Sequence, residues 1–339
     1  MLPIIEANLP PPQPQAKTVW VDPDSAGQRL DNFLLRQLKG VPKAHVYRII
    51  RSGEVRLNRG RVGADARLQT GDAIRLPPLR LSKRMAEKAQ AMRNPSSAAA
   101  PGHAFDVLLE DDVLLALHKP AGMAVHGGSG VSFGVIEQLR MARPELPGLE
   151  LVHRLDRDTS GILLIAKKRS ALKILQDQFR ARHTHKTYLA MVNGRWPATK
   201  KVLDQPLHKY LLPDGQRRVQ VVAQDDPAGR PSITLVKLKE SSHRFSLLEI
   251  VLKTGRTHQI RVHLASAGHP ILGDDKYGDF ELNKQLRQAS QQPTLKRMFL
   301  HAWRLQFDHP TSGQRISLEA PLAADLAAFR RHTQASTAA

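Results

Sequence analysis

Apolar residues recur along this chain with two different periods, and the change from one to the other divides it. Between Arg29 and about Pro77, Leu30, Phe33, Leu34 and Leu38 fall at helical spacing, and Gly40 follows as a stop. Pro42 opens a second predicted helix carrying Val46, Ile49 and Ile50, which Gly53 closes. Val55-Arg56-Leu57-Asn58 and Ala73-Ile74-Arg75-Leu76 read as short strands joined by Gly-rich turns. From Phe105 onward the apolar runs shorten to strand length between polar loops. They include Val107-Leu108-Leu109, Val113-Leu114-Leu115-Ala116-Leu117, Ile162-Leu163-Leu164-Ile165-Ala166 and Phe245 to Leu252. The last is apolar for most of its length, which predicts a strand central in a sheet. Gly134 to Met141 and Ala171 to Arg180 are predicted helices. There is no steady βαβ rhythm and no internal repeat. The second part is therefore expected to be α+β, with a mixed, largely antiparallel central sheet and flanking helices and loops.

A chain of 339 residues suggests about two domains. The pattern predicts a disordered Pro-rich tail over residues 1–16, a small helical and stranded domain over 17–77 and a basic linker over 78–104. A larger domain over 105–330 and a frayed tail over 331–339 complete the division.

Charge sharpens this picture. The net charge is +20, and residues 17–104 alone hold 17 Lys/Arg against 7 Asp/Glu, a balance of +10. Half of the excess thus sits in about a quarter of the chain, as in a dedicated polyanion-binding module, with nucleic acid the first candidate. A solvated basic surface without a partner is the alternative. There is no cysteine, so disulfides and thiolate metal sites are excluded. Residues 1–15 have Glu6 and five prolines but no basic start and no long apolar core, so no signal peptide is expected. No stretch approaches the roughly 18 apolar residues of a membrane helix. A soluble, cytoplasmic, monomeric protein is expected, without contact to a membrane.

The candidate chemistry lies in residues 153–161, His-Arg-Leu-Asp-Arg-Asp-Thr-Ser-Gly, just before the run Ile162–Ala166. Asp156 stands among Arg154 and Arg157 in a predicted turn between strands. Nearby positive charge favours its ionised form, which suits a nucleophile or base aimed at an electron-poor sugar carbon. Taken alone, a surface turn capped by Asp158 or Thr159 accounts for the same residues.

The wording of the segment resembles the signature of the RluA family of pseudouridine synthases: His-Arg-Leu-Asp, two variable residues, then Thr-Ser-Gly. Four further phrases resemble that family's motifs in their usual order. They are His118-Lys119-Pro120-Ala121-Gly122, with His where the family has Asn; Lys186-Thr187-Tyr188-Leu189-Ala190; Thr254 to His263; and Gly273-Asp274-Asp275-Lys276-Tyr277-Gly278 with Leu300-His301-Ala302. The phrases Arg29-Leu30-Asp31-Asn32-Phe33-Leu34 and Arg51 to Asn58 resemble an S4 RNA-binding domain.

The resemblance implies a pseudouridine synthase catalytic fold preceded by an S4-like domain. It implies an isomerase that moves uracil from N1 to C5 attachment in 23S large-subunit rRNA, without cofactor, nucleotide or metal. It assigns Asp156 as the catalytic carboxylate, Tyr188 as the residue that stacks on the freed base, and Arg261 as the partner of Asp156. Arg154 is implied to fill the gap left by a flipped nucleotide, while Thr159, Ser160 and Gly161 form the turn that aims Asp156. His153, Leu155, Lys119, His126, Arg256 and His258 are further expected substrate contacts. Arg36, Lys39, Lys43, Arg48 and Arg51 are expected to meet phosphates on the S4-like domain.

Two other functions compete. The basic module alone would suit a non-catalytic ribosome-assembly factor, which has no need of Asp156. A nucleoside or glycoside hydrolase usually requires two carboxylates across the bond, and the acid nearest Asp156 in the sequence is Asp158, two residues away in the same turn. A metal reading of the His pairs 183/185 and 258/263 lacks carboxylates at ligand spacing. Gly127-Gly128-Ser129-Gly130 lacks the Gly-Lys-Ser/Thr of a phosphate loop.

Overall fold

The chain folds as two units, residues 1–102 and 103–339, in a computed structural model that describes residues 15–38, 41–78, 105–127, 134–146, 148–213, 216–288 and 294–338. The tail expected over 1–16 and the linker expected over 78–104 lie almost entirely outside the described residues, as does Lys39.

In the first unit, β1 (Lys17–Trp20) is followed by α1 (Leu30–Gln37), α2 (Lys43–Arg51), β2 (Arg56–Leu57) and β3 (Ala73–Leu76). The three strands pair antiparallel in the order β1-β3-β2. The helical spacing works as expected: Leu30, Phe33 and Leu34 of α1 and Val46, Ile49 and Ile50 of α2 are buried together with Ile74 and Leu76. Gly53, at φ +73°, supplies the left-handed turn after α2. Asp31 is buried, accepting from Arg29 (2.8 Å) and Tyr47 (2.8 Å), and the Arg29 contact first of all holds its pKa down to about 2. Strand β1 carries no alternation to announce it, because three of its four residues are exposed at the sheet edge.

The second unit runs β4 (Asp106–Glu110), β5 (Leu114–Lys119), α3 (Val135–Ala142), β6 (Glu150–Leu151), β7 (Ser160–Ala166), α4 (Arg169–Ala181), β8 (His185–Asn193) and β9 (Val202–Leu203). It continues β10 (Leu207–Leu211), β11 (Arg217–Val221), β12 (Thr234–Ser241), β13 (Phe245–Leu252), α5 (Gln259–Ser266), α6 (Phe280–Gln288), β14 (Leu300–Asp308), β15 (Arg315–Glu319) and α7 (Ala324–Ala338). Ten strands form one sheet in the order β4-β5-β7-β14-β8-β13-β12-β9, with β15 on β14 and β6 on β7; β10 and β11 form a separate hairpin. All of the sheet's pairings are antiparallel except β7 with β14. The expected α+β fold with a mixed, largely antiparallel sheet is the one observed.

Both faces of the sheet are covered, and this explains the unbroken apolar runs. In β7 all seven residues are buried. Leu163 and Ile165 pack on one face, and Ile162, Leu164 and Ala166 on the other. In β8, Tyr188, Ala190 and Val192 share the first face, while Leu189 and Met191 point to the opposite one. The central position expected for Phe245–Leu252 holds, since β13 lies between β8 and β12.

The end of the chain departs from the expectation of a frayed tail after Arg330. Helix α7 continues to Ala338. Leu326 and Phe329 anchor it in the core, and the Thr333 hydroxyl donates to the Arg330 carbonyl. The small polar sequence after Arg330 hides this because its anchors lie one and two turns earlier.

Candidate active site

Strand register assembles the site. Ala302 of β14 lies opposite Tyr188 of β8 and opposite Gly161 of β7. The loop that leads into β7, residues 152–159, is therefore carried over the sheet face from which Tyr188 projects. Gly161 permits the approach. Its φ is +111°, and a Cβ there would lie 2.2 Å from the Ala302 carbonyl oxygen. Gly161→Ala is expected to destabilise the protein by about 2–3 kcal/mol, from strain at a glycine-only backbone conformation. Urea unfolding measures this, and an unchanged midpoint would refute it.

The loop, the end of β13, the start of α5, Tyr188 of β8 and Leu300 of β14 enclose a cavity of about 260 Å³. That is near the lower end of small-molecule sites, about 300–1,000 Å³, and suits a single ring system. Of its lining residues Asp156 is the sole carboxylate, while Arg154, Lys186, Arg256 and Arg261 supply cations.

Asp156 is held on one oxygen. Its Oδ2 lies 3.4 Å from Arg261 Nη1 and 3.9 Å from His258 Nε2, whereas Oδ1 has no hydrogen-bond partner among the described residues. Its turn is closed by the Thr159 N–H donating to the Asp156 carbonyl (3.2 Å). Arg157 and Asp158 pair with each other at 3.1 Å, and neither lines the cavity.

Arg261 is buried, not a surface arginine. Its Nε and Nη2 donate to Asp274 at 2.7 and 2.6 Å, and Nη2 also lies 3.4 Å from Asp275. Burial alone would lower its pKa, but Asp274 first and then Asp156 raise it above the ordinary arginine value. The carboxyl of Asp274 lies below its ordinary value: burial pushes it up, and the Arg261 guanidinium outweighs that with help from the N–H groups of Lys276 and Tyr277. Asp274 is thus the main anchor of Arg261, and Asp156 is the looser partner at the guanidinium's far end. The Gly273–Gly278 phrase is the sequence signal for this anchor, although the phrase by itself gives no hint which arginine it serves. Helix α5 starts at Gln259, after His258 in a left-handed conformation (φ +54°).

Tyr188 is buried, lines the cavity, and its hydroxyl has no hydrogen-bond partner among the described residues. Burial, and then the charge of Asp156, raise its pKa above the ordinary phenol value. It keeps its proton at neutral pH.

Other expected contacts divide. Arg154, Leu155, Thr159, Arg256 and His258 line the cavity. His153 does too, but its Nε2 accepts from the Leu164 N–H (3.0 Å) and its ring stacks on Phe179 (4.9 Å). Burial and then Lys186 hold its pKa down to about 3, so it stays neutral. Phe179 and Leu252 are walls without a signal in the sequence, because they read as ordinary apolar positions, and Leu300 of the last motif phrase is a third.

Three expected contacts lie elsewhere. Lys119 is fully buried, and its ammonium donates to the carbonyls of Pro120 (2.7 Å), Met123 (2.8 Å) and Arg157 (3.0 Å). Burial pulls its pKa down to about 7 against the attraction of Asp158 and Asp156. With all three N–H groups engaged, it fastens the Asp156 loop and has none left for RNA. Ser160 is also buried, bonded to His301 Nδ1 (2.9 Å) and to Arg297 (3.0 Å). His126 is exposed, lies outside the cavity lining and bonds the Gly127 carbonyl at 2.9 Å.

On the first unit, Arg48 and Arg51 are exposed at the end of α2, with Arg48 paired to Glu54 at 3.2 Å. Arg36 donates to Ser25 (2.8 Å), and Lys43 is the first residue of α2.

Comparison with known proteins follows this geometry. The chain matches the family described as RNA pseudouridylate synthase over residues 113–266 and the S4 domain over residues 28–74. The ribosomal large subunit pseudouridine synthase C of Yersinia pestis is 50% identical over 309 residues, 91% of this chain and 93% of that protein. The protein of the same name from Escherichia coli (strain K12) is 50% identical over 310 residues, 91% of this chain and 94% of its own. Among solved structures, human RNA pseudouridylate synthase domain containing 4 is 24% identical. It superposes with a TM-score of 0.56 over 68% of this chain and 93% of its own, a likeness of fold.

Proposed function

The chain belongs to the RNA pseudouridylate synthase family, and from that premise we propose that it converts specific uridines of large-subunit (23S) rRNA to pseudouridine with Asp156 as the catalytic carboxylate. The observation that carries this reading is the cavity itself: one carboxylate, with one oxygen held and one open, shares with the Tyr188 ring a cavity of about 260 Å³, room for one ring system.

The reaction breaks the N1–C1′ bond, turns the uracil, joins C5 to C1′, and moves the C5 proton away while N1 gains one. Asp156 presents Oδ1 to the ribose, either to attack C1′ or to take the proton of C2′. Tyr188 holds the freed base by stacking, a contact every base can make. Its raised pKa keeps the hydroxyl protonated at neutral pH, so it is a poor acceptor for the C5 proton, directly or through water. Arg154 is exposed at the cavity and suits the space vacated by an extruded nucleotide. Arg256 suits a phosphate, while Leu155 and Thr159 shape the wall.

A hydrolase would require a second carboxylate across the bond. None of Asp158, Asp274 and Asp275 lines the cavity, which weighs against it. A non-catalytic assembly factor leaves the arrangement around Asp156 without a purpose.

Within the family, the run Gly122 to Gly130, the Arg157-Asp158-Thr159-Ser160-Gly161 wording and the relatives named above favour the type C target set over that of type D, which shares the S4 module. We take the active form to be a monomer, and an rRNA substrate fits the cytoplasm. Release of tritium from C5-labelled uridine in large-subunit rRNA tests the activity. Mapping pseudouridines in rRNA from cells lacking the protein tests the target. A full set of modifications in those cells would overturn the target.

Removing residues 1–104 is expected to weaken rRNA binding and to flatten its dependence on salt, because phosphate-neutralising charges leave with the S4 unit. Equal slopes of log Kd against log salt for the two chains would show that the unit is no electrostatic anchor.

A further inference from the structure

His258 is the one candidate contact whose surroundings exceed what a substrate contact needs. It holds a left-handed backbone conformation without being glycine, a costly choice that a surrounding structure must impose. Its ring is edge-on to Tyr277, with Nδ1 2.8 Å from the Tyr277 hydroxyl. That hydroxyl accepts from the Val219 N–H of β11 at 3.1 Å. Two guanidiniums lie near the Tyr277 ring, Arg218 at 5.7 Å and Arg261 at 5.2 Å from its centroid. On its other side, His258 Nε2 faces Asp156 Oδ2 at 3.9 Å.

Proton bookkeeping along this chain of contacts gives a direction. Burial raises the Tyr277 phenol above its ordinary pKa, so the hydroxyl keeps its proton. Val219 occupies one of its lone pairs, and the acceptor within reach of its O–H is His258 Nδ1. A ring that accepts at Nδ1 carries its proton at Nε2 when neutral. The charged groups facing the ring are Asp156, Arg261, Lys276 and Asp274; burial and the two cations outweigh the two carboxylates and keep the ring below the ordinary histidine value. The N–H that results points at the same carboxylate oxygen that Arg261 approaches.

We infer that His258 is a positioning residue for Asp156: Tyr277 fixes its neutral ring with the proton on Nε2, and that N–H, with Arg261 Nη1, holds Oδ2 so that Oδ1 faces the ribose. This rests on Asp156 being the reacting carboxylate. The separation of 3.9 Å is closed by a small turn of the carboxylate, as active-site hydrogen bonds often tighten when substrate binds.

The test is direct observation of the ring. In the full chain labelled with ¹⁵N-histidine, a long-range ¹H–¹⁵N correlation spectrum at pH 7.5 is expected to show, for His258, a protonated Nε2 and an unprotonated Nδ1. The signal is identified by its loss in His258→Gln. A protonated Nδ1, or an imidazolium, overturns the inference whatever the activity. Kinetics give a second arm. Gln places an amide nitrogen where Nε2 stood, so His258→Gln is expected to keep kcat within about 3-fold. His258→Ala should lose roughly 10–100-fold in kcat, the order that misplacing a reacting group costs, with KM for RNA little changed. Equal losses in both variants, or a loss confined to KM, also overturn it. An active Asp156→Asn enzyme would instead sink the catalytic assignment, leaving the tautomer measurement to stand on its own.

Discussion

Asp156→Asn is expected to abolish pseudouridine formation, by at least about 10⁴-fold in kcat, while RNA binding stays within a few-fold of wild type. Losses of this order accompany removal of a covalent or proton-transferring group in other enzymes. The substitution conserves shape and removes the charge and the nucleophilic oxygen. It should leave the fold almost untouched, because Arg261 retains its two short bonds to Asp274 when Asp156 is neutralised. Binding should survive because Asp156 is the sole anion in a cavity lined by four cations, and losing it cannot weaken attraction for phosphate. Tritium release and filter binding on one rRNA fragment separate the two effects. An Asn variant that still releases tritium would refute the assignment. A variant that fails to bind would show that the carboxylate serves recognition instead.

How much of this was legible in the sequence depends on the range of the interaction. Local patterns carried well. Leu30, Phe33 and Leu34 declared a helix face, and Ile162–Ala166 declared a strand buried on both sides, because each signal lies within a few residues. The place of Asp156 beside Tyr188 was legible as wording, but the physical cause is the shared register at Ala302, which joins segments over 100 residues apart. Charge misled at Lys119. The motif phrase around Lys119 implies an RNA contact, yet three backbone carbonyls hold its ammonium. What fixes Ser160 beside the Asp156 turn was illegible, since its partners His301 and Arg297 are more than 130 residues distant. The tail after Arg330 hid its helix because its anchors, Leu326 and Phe329, precede it.

Asp274→Asn is expected to destabilise the protein by about 3–5 kcal/mol, the usual cost of leaving one member of a buried ion pair uncompensated. For a unit of this size that corresponds to a fall in Tm of roughly 10 °C. Arg261 is almost wholly buried, and its other partners, Asp156 and Asp275, stand 3.4 Å away and more exposed. An unanchored guanidinium should swing toward Asp156 and draw that carboxylate out of line, so kcat should fall roughly 10–100-fold even in molecules that remain folded. The pH dependence has a definite sign. A carboxyl whose pKa is lower in the folded state stabilises the fold at pH above its unfolded value, about 3.9, and that contribution fades as pH falls through the lower folded value. The stability gap between wild type and Asp274→Asn should therefore narrow as pH drops below about 4. The double variant Asp274→Leu with Arg261→Met should recover part of the stability, because an apolar pair of similar volume carries no charge-desolvation cost, while the N–H groups of Lys276 and Tyr277 lose their acceptor. It should recover none of the activity, since nothing then approaches Asp156 Oδ2 from that side. Calorimetry and single-turnover kinetics on the two variants separate anchoring from stability. If the double variant regains both, Arg261 is a structural strut and Asp156 orients itself without it.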